Sequence, residues 1–215
     1  MSSIGSYYGN PIRWPISPAE PDLSYYIQSA DPIVVQSIQD SALAWSNIET
    51  SYVNLTQTGV STSANIVIVV DNDLGNPYAG GYASYSYSGN GEITSCTVHL
   101  LASQVSLGYD LFQPLALHEM GHCLGLIHSV SAGAAMSYRG GGANPTDDDA
   151  FALTLLYPAS GSSLPPSCGT IHTSPTNTGN TPQDMIGFAL PWILVAILYR
   201  TIIGRERVQP SVLES

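Results

Sequence analysis

The chain has 215 residues, 44% of them hydrophobic, enough for one well-packed domain with something added and too few for two large domains. Only 10% are charged, and 16 acidic side chains against five arginines and no lysine give a net charge of −11. With no basic cluster to neutralise phosphates, nucleic acid is excluded as a partner, and the low charge density with 13 Tyr is not the composition of a disordered chain.

In chain order, Asp31 before Pro32 reads as an N-cap with proline at the first helical position. Val34, Ile38, Ala42 and Trp45 then recur at helical spacing, which predicts a helix over about 32–48. Residues 66–70 form a short β-branched run bounded by polar residues, read as a buried strand. A Gly/Ser/Tyr-rich stretch over 80–91 precedes a second strand at 92–101. A second helix is expected over about 111–124, with Leu111, Leu115, His118 and His122 at helical spacing. There is no internal repeat, and the first residues lack the basic-then-apolar pattern of an export signal.

Residues 159–184 are rich in Ser, Thr, Pro and Gly and carry no charge before Asp184, so they read as a stalk that follows a folded domain of residues 1–158. Residues 185–203 are apolar except for Arg200 and Thr201. Nineteen helical residues span roughly 28 Å, close to the hydrocarbon thickness of a bilayer, so a single transmembrane helix is expected; a buried C-terminal helix is the alternative. A short tail, 204–215, follows. Residues 1–184 hold 14 acids and two arginines, a net of −12, whereas 185–215 hold three arginines and two acids, a net of +1. Positive charge beyond the helix places the tail in the cytoplasm and the domain outside. The sequon Asn54-Leu55-Thr56 agrees with that orientation; the missing export signal disagrees, and either the recorded start omits or has lost such a signal or the protein is tail-anchored with its domain facing the cytosol.

The chemistry lies in His118-Glu119-Met120-Gly121-His122-Cys123-Leu124-Gly125-Leu126-Ile127-His128. Residues four apart on a helix point the same way, so His118 and His122 can offer two imidazoles to one ion with Glu119 beside them. Gly125 is the residue type that ends a helix in a left-handed conformation, and a sharp turn there brings back His128 as a third ligand. Three imidazoles around an open position describe a catalytic zinc site rather than a closed structural one.

This segment resembles the extended zinc-binding motif of the metzincin metallopeptidases. Ala134-Ala135-Met136-Ser137-Tyr138 resembles their Met-containing turn. Ser129 after the third His, Arg13-Trp14-Pro15, Ala42-Leu43-Ala44-Trp45-Ser46, and Asp147-Asp148-Asp149 leading to Leu155-Leu156-Tyr157-Pro158 are similar to the matrixin branch. The resemblance implies an α+β fold: a mixed, mostly parallel twisted sheet with an antiparallel edge strand, an active-site helix and a small C-terminal subdomain. It implies zinc held by His118, His122 and His128, Glu119 as general base, and Met136 as a floor beneath the imidazoles. One of the three adjacent acids would support the Met turn, and the strand at 92–101 would be the edge strand that pairs with substrate. The Met-Ser-Tyr triplet resembles the serralysin and astacin branches, where the tyrosine is an extra zinc ligand; Tyr138 is read as that ligand or as a packed wall residue. Matrixins bind calcium in loops near Asp71-Asn72-Asp73-Leu74-Gly75-Asn76, but this spacing misses the EF-hand pattern and a polar turn is preferred to a calcium loop. His99 and His172 have no partner at metal-ligand spacing and are read as non-ligands.

Three cysteines permit one disulfide. Cys96 on the strand and Cys123 on the helix can be bridged if those elements touch, leaving Cys168 in the stalk; three free thiols are the alternative. The expectation from sequence is a membrane-anchored zinc endopeptidase acting on peptides or proteins. Its rival is a surface adhesion or binding module that keeps the zinc without turnover.

Overall fold

The computed structural model describes residues 3–7, 9–138 and 140–161. The segments expected as membrane helix and tail, all of the stalk beyond residue 161, Cys168 and His172 lie outside them. Among the described residues no helix is long and apolar enough to cross a membrane.

Three short strands, β1 (Ser3–Ile4), β2 (Ser6–Tyr7) and β3 (Asn10–Pro11), lead into β4 (Asp22–Ile27). Helix α1 (Pro32–Ser46) follows, and the Asp31 carboxylate accepts hydrogen bonds from Ile33 N and Val34 N, as the Asp-Pro start requires. Strands β5 (Asn54–Gln57), β6 (Ile66–Asp71), β7 (Gly81–Tyr87) and β8 (Ile93–Leu101) precede a short helix α2 (Ala102–Val105), the helix α3 (Tyr109–Cys123), strand β9 (Leu126–Ile127) and helix α4 (Asp147–Leu156). The main sheet runs β5-β4-β6-β8-β7. Its pairs are parallel except β7 with β8.

The fold is therefore α+β with a mixed, mostly parallel sheet and one antiparallel edge strand, as expected. One strand assignment is corrected. The antiparallel edge strand is β7, inside the Gly/Ser/Tyr-rich stretch, and β8 at 93–101 is an interior strand between β6 and β7. Strand β6 is a buried interior strand at the expected place: Ile66 and Ile68 are fully buried, Val70 on the same face packs against the core, and Val67 and Val69 on the other face are partly buried. Among the described residues the helices pack on a single side of the sheet.

The core lies between the sheet and the pair α1 and α3. Leu23, Tyr25, Ile66, Ile68, Val98 and Leu100 alternate inward to meet Val34, Ile38 and Trp45 of α1 and Phe112, Leu115 and Met120 of α3. The Trp45 indole donates to Leu117 O, tying α1 to the middle of α3. At the end of α3, carbonyls without a helical partner find side-chain donors: the Trp14 indole donates to Cys123 O and the Tyr157 hydroxyl to Leu124 O. Tyr157 is buried, and that burial pushes its hydroxyl well above the usual phenol range.

Cys96 on β8 and Cys123 on α3 form a disulfide that closes 27 residues. Strand and helix do touch, which is the condition the pairing needed. A loop of that length stabilises by about 3 kcal/mol in the chain-entropy model. A Cys96→Ser/Cys123→Ser variant is expected to lose about 2–4 kcal/mol in urea denaturation, with Cys168→Ser as the neutral control.

Candidate metal centre

Helix α3 presents its candidate ligands because its last turn is closed tightly. Leu124 N and Gly125 N both donate to carbonyls of the final turn, at Gly121 and His122. Gly125 has φ +89°, and an added Cβ would run into the Ile12 carbonyl oxygen. Glycine alone meets both demands, and the chain then reverses into β9, which pairs with β1 and delivers His128. Candidate ligand atoms of His118, His122 and His128 lie within 4.8 Å of one another, one group of three gathered from a helix and the strand behind it.

The hydrogen bonds of the Nδ1 atoms define which ring nitrogens the helix turns toward one another. His118 Nδ1 donates to Ala135 O at 2.7 Å, and His122 Nδ1 donates to Leu126 O at 2.8 Å. Each neutral ring therefore keeps its lone pair on Nε2. These two Nε2 atoms stand 3.2 Å apart. Two acceptors facing each other repel unless a cation lies between them. Nitrogens bound at about 2.0–2.1 Å in a tetrahedral arrangement stand about 3.3 Å apart, so the spacing fits zinc. The His122 ring stands edge-on to the other two, with centroids 4.8 Å away in each case.

Electrostatics point the same way. Burial, and then the neighbouring imidazole His122, hold His118 well below its ordinary range. Burial and the neighbouring His128 bring His122 down to about 4. Both rings are thus neutral donors at physiological pH, as a metal ligand must be. Glu119 is 3% exposed, and burial raises its carboxyl to about 8. A buried carboxyl whose proton affinity is raised by burial is suited to taking and returning a proton.

The support beneath the ligands comes from a turn far along the chain. Met136 is fully buried, and a Cβ added to Gly121 would collide with its sulfur and lie 2.8 Å from the Trp45 ring. The Met turn thus packs directly on the backbone of α3 between the two helical ligands. Asp149, the third of the adjacent acids and fully buried, accepts from Ala135 N at 2.8 Å and Met136 N at 3.1 Å. Since Ala135 O holds His118, the carboxylate fixes the turn that fixes the ring. Asp148 takes the Ser129 hydroxyl at 2.6 Å, securing the segment after His128. Asp149→Ala is expected to leave two buried N–H groups unpaired, lowering stability by about 2–4 kcal/mol and weakening zinc retention; denaturation and metal analysis would show it.

Sequence reasoning pointed to the acid run but not to which acid acts. The distinguishing signal was Thr146-x-x-Asp149, a capping box that starts α4 and turns Asp149 inward. Tyr138 is 52% exposed, and its ring centroid lies 4.3 Å from that of His128. His99 is apart from the triad: its Nδ1 faces Asp71 Oδ2 at 2.7 Å. In the segment weighed as a calcium loop, Asp73 Oδ1 accepts from Gly75 N and Asn76 Oδ1 from Tyr78 N, so these oxygens serve local turns. Trp14 and Tyr157, which hold the end of α3, were legible only through the family resemblance.

No protein-family model matches the chain, and no curated protein matches it.

Proposed function

We propose that the chain is a zinc-dependent endopeptidase of the metzincin type, closest to the matrixins, in which His118, His122 and His128 hold the metal and Glu119 is the general base. The observation that carries this reading is the pair of imidazole Nε2 acceptors 3.2 Å apart on the helix that carries the buried Glu119. When bound, zinc would polarise the scissile carbonyl and acidify a water. Glu119 takes that water's proton and returns it to the departing amine. A binding module needs the histidines but has no use for a general base.

Strand β7, which among the described residues is an edge strand, runs past Glu119, since a Cβ at Gly81 would lie 3.1 Å from Glu119 Cγ. A peptide added antiparallel to β7 would present its carbonyl to the site through main-chain bonds, so β7 takes the role first expected of 92–101. Tyr138 beside His128 is the candidate for a further oxygen ligand. The apolar run at 185–203 and the three arginines around it support a single membrane span with the domain outside and the tail in the cytoplasm.

The test is incubation of the zinc-loaded chain with a broad peptide library. Cleavage within peptides, abolished by a chelator and restored by zinc, is expected. Intact peptides beside a fully zinc-loaded protein would leave only the binding module.

A further inference from the structure

The inference rests on β7 as the strand that takes the peptide. Among the described residues that strand is hydrogen-bonded on one side only, to β8, so its place over α3 depends on what packs against its two faces. On the inner face Gly81 allows no slack, because a Cβ there would lie 2.9 Å from His99 O and 3.1 Å from Glu119 Cγ. On the outer face the next residue, Tyr82, stands in register opposite His99. The two rings are stacked, with centroids 4.4 Å apart and 12° between their planes. His99 in turn donates from Nδ1 to Asp71 Oδ2 at 2.7 Å, the acceptor being the last residue of β6. The side chains of His99 and Asp71 are 23% and 31% exposed, so water competes only in part.

Three adjacent strands are therefore linked by one line of side chains, carboxylate to imidazole to phenol, on the face opposite the helices. Asp71 and Tyr82 also flank the loop 72–80 that joins β6 to β7, so the same line closes that loop. We infer that Asp71, His99 and Tyr82 form a brace that sets the height of β7 above Glu119. His99 and Asp71 are then positioning residues for the bound peptide's main chain, acting through Tyr82 and Gly81 and touching neither substrate nor metal. A brace of this kind makes a specific demand: its loss harms substrates in proportion to how far they pair along β7. A residue that only stabilised the core would lower activity on all substrates alike.

The experiment uses the full chain loaded with zinc and a series of peptides extended stepwise along β7. His99→Ala and Asp71→Ala are expected to raise KM about tenfold for the longest peptides, with kcat changed less than twofold and the shortest cleavable peptide unaffected. Asp71→Asn keeps an oxygen acceptor for Nδ1 and is expected to restore KM to within about twofold of wild type. Amide hydrogen exchange supplies a readout that does not require turnover: in His99→Ala the amides of β7 should exchange about tenfold faster, with β4 and β6 unchanged. Unaltered KM across the series, a loss equal at every length, or unaltered exchange in β7 would overturn the brace. Failure of the wild type to cleave any peptide would overturn the peptidase reading, and the exchange rates would still decide the brace.

Discussion

Glu119→Gln is expected to lower peptide hydrolysis by about 10²–10⁴-fold while the protein still binds one zinc, because the amide fills the same space but cannot accept a proton. Steady-state cleavage together with metal analysis of the same samples checks this. The substitution also has a signature in the metal-free protein. Burial raises the Glu119 carboxyl from 4.5 to about 8, so the folded state holds a proton that the unfolded state releases in that interval. Its contribution is fully present below pH 4.5 and lost as pH rises through 8. His118 and His122 act in the opposite sense: their lowered values give stability that is present above 6.5 and lost as pH falls, toward about 4 for His122. Chelated wild type should therefore lose stability on both sides of an intermediate pH. Chelated Glu119→Gln should keep only the acid limb and exceed wild type in melting temperature at pH 9.

The second large effect belongs to Gly125. Gly125→Ala places a side chain at φ +89°, which costs about 1–2 kcal/mol in the backbone alone, and drives the new methyl into the Ile12 carbonyl. The chain must shift where α3 turns into β9, and His128 moves with it. A loss of about 4 kcal/mol in stability and a large drop in zinc affinity are expected, measured by urea denaturation and by zinc competition with a chromophoric chelator. Gly133→Ala is the matched control: φ is +85° there, but nothing lies within 4 Å of the added Cβ, so only the same backbone cost of about 1–2 kcal/mol should appear. Equal effects at the two positions would mean that the close packing on Ile12 does not set the position of His128.

These residues also explain what the sequence could reveal. The ligand set was legible because it is local: two histidines one helical turn apart, a glycine that must be left-handed, and a third histidine three residues on. The ends of α1 were legible for the same reason, since Asp31 and Pro32 act on their own first turn. Strand β7 was hidden because its Gly-Tyr-Ala-Ser-Tyr-Ser-Tyr carries no apolar alternation; its place is fixed by pairing with β8 and by the brace on its outer face. Strands β4 and β5 depend likewise on partners distant in sequence. The β-branched run of β6 was legible as a buried strand because its Ile66 and Ile68 carry the inward alternation. Asp149 could not be told from Asp147 and Asp148 by composition; the geometry of the α4 cap turns one of three identical side chains toward the Met turn.

The most direct measurement is a zinc titration of hydrolysis, with the metal-free chain and a peptide drawn from the cleaved set. Activity should rise in proportion to added zinc and stop rising at one zinc per chain, with His122→Ala showing no such break. A wild-type chain that binds one zinc tightly and hydrolyses nothing at any ratio would contradict the assignment of this site as a peptidase.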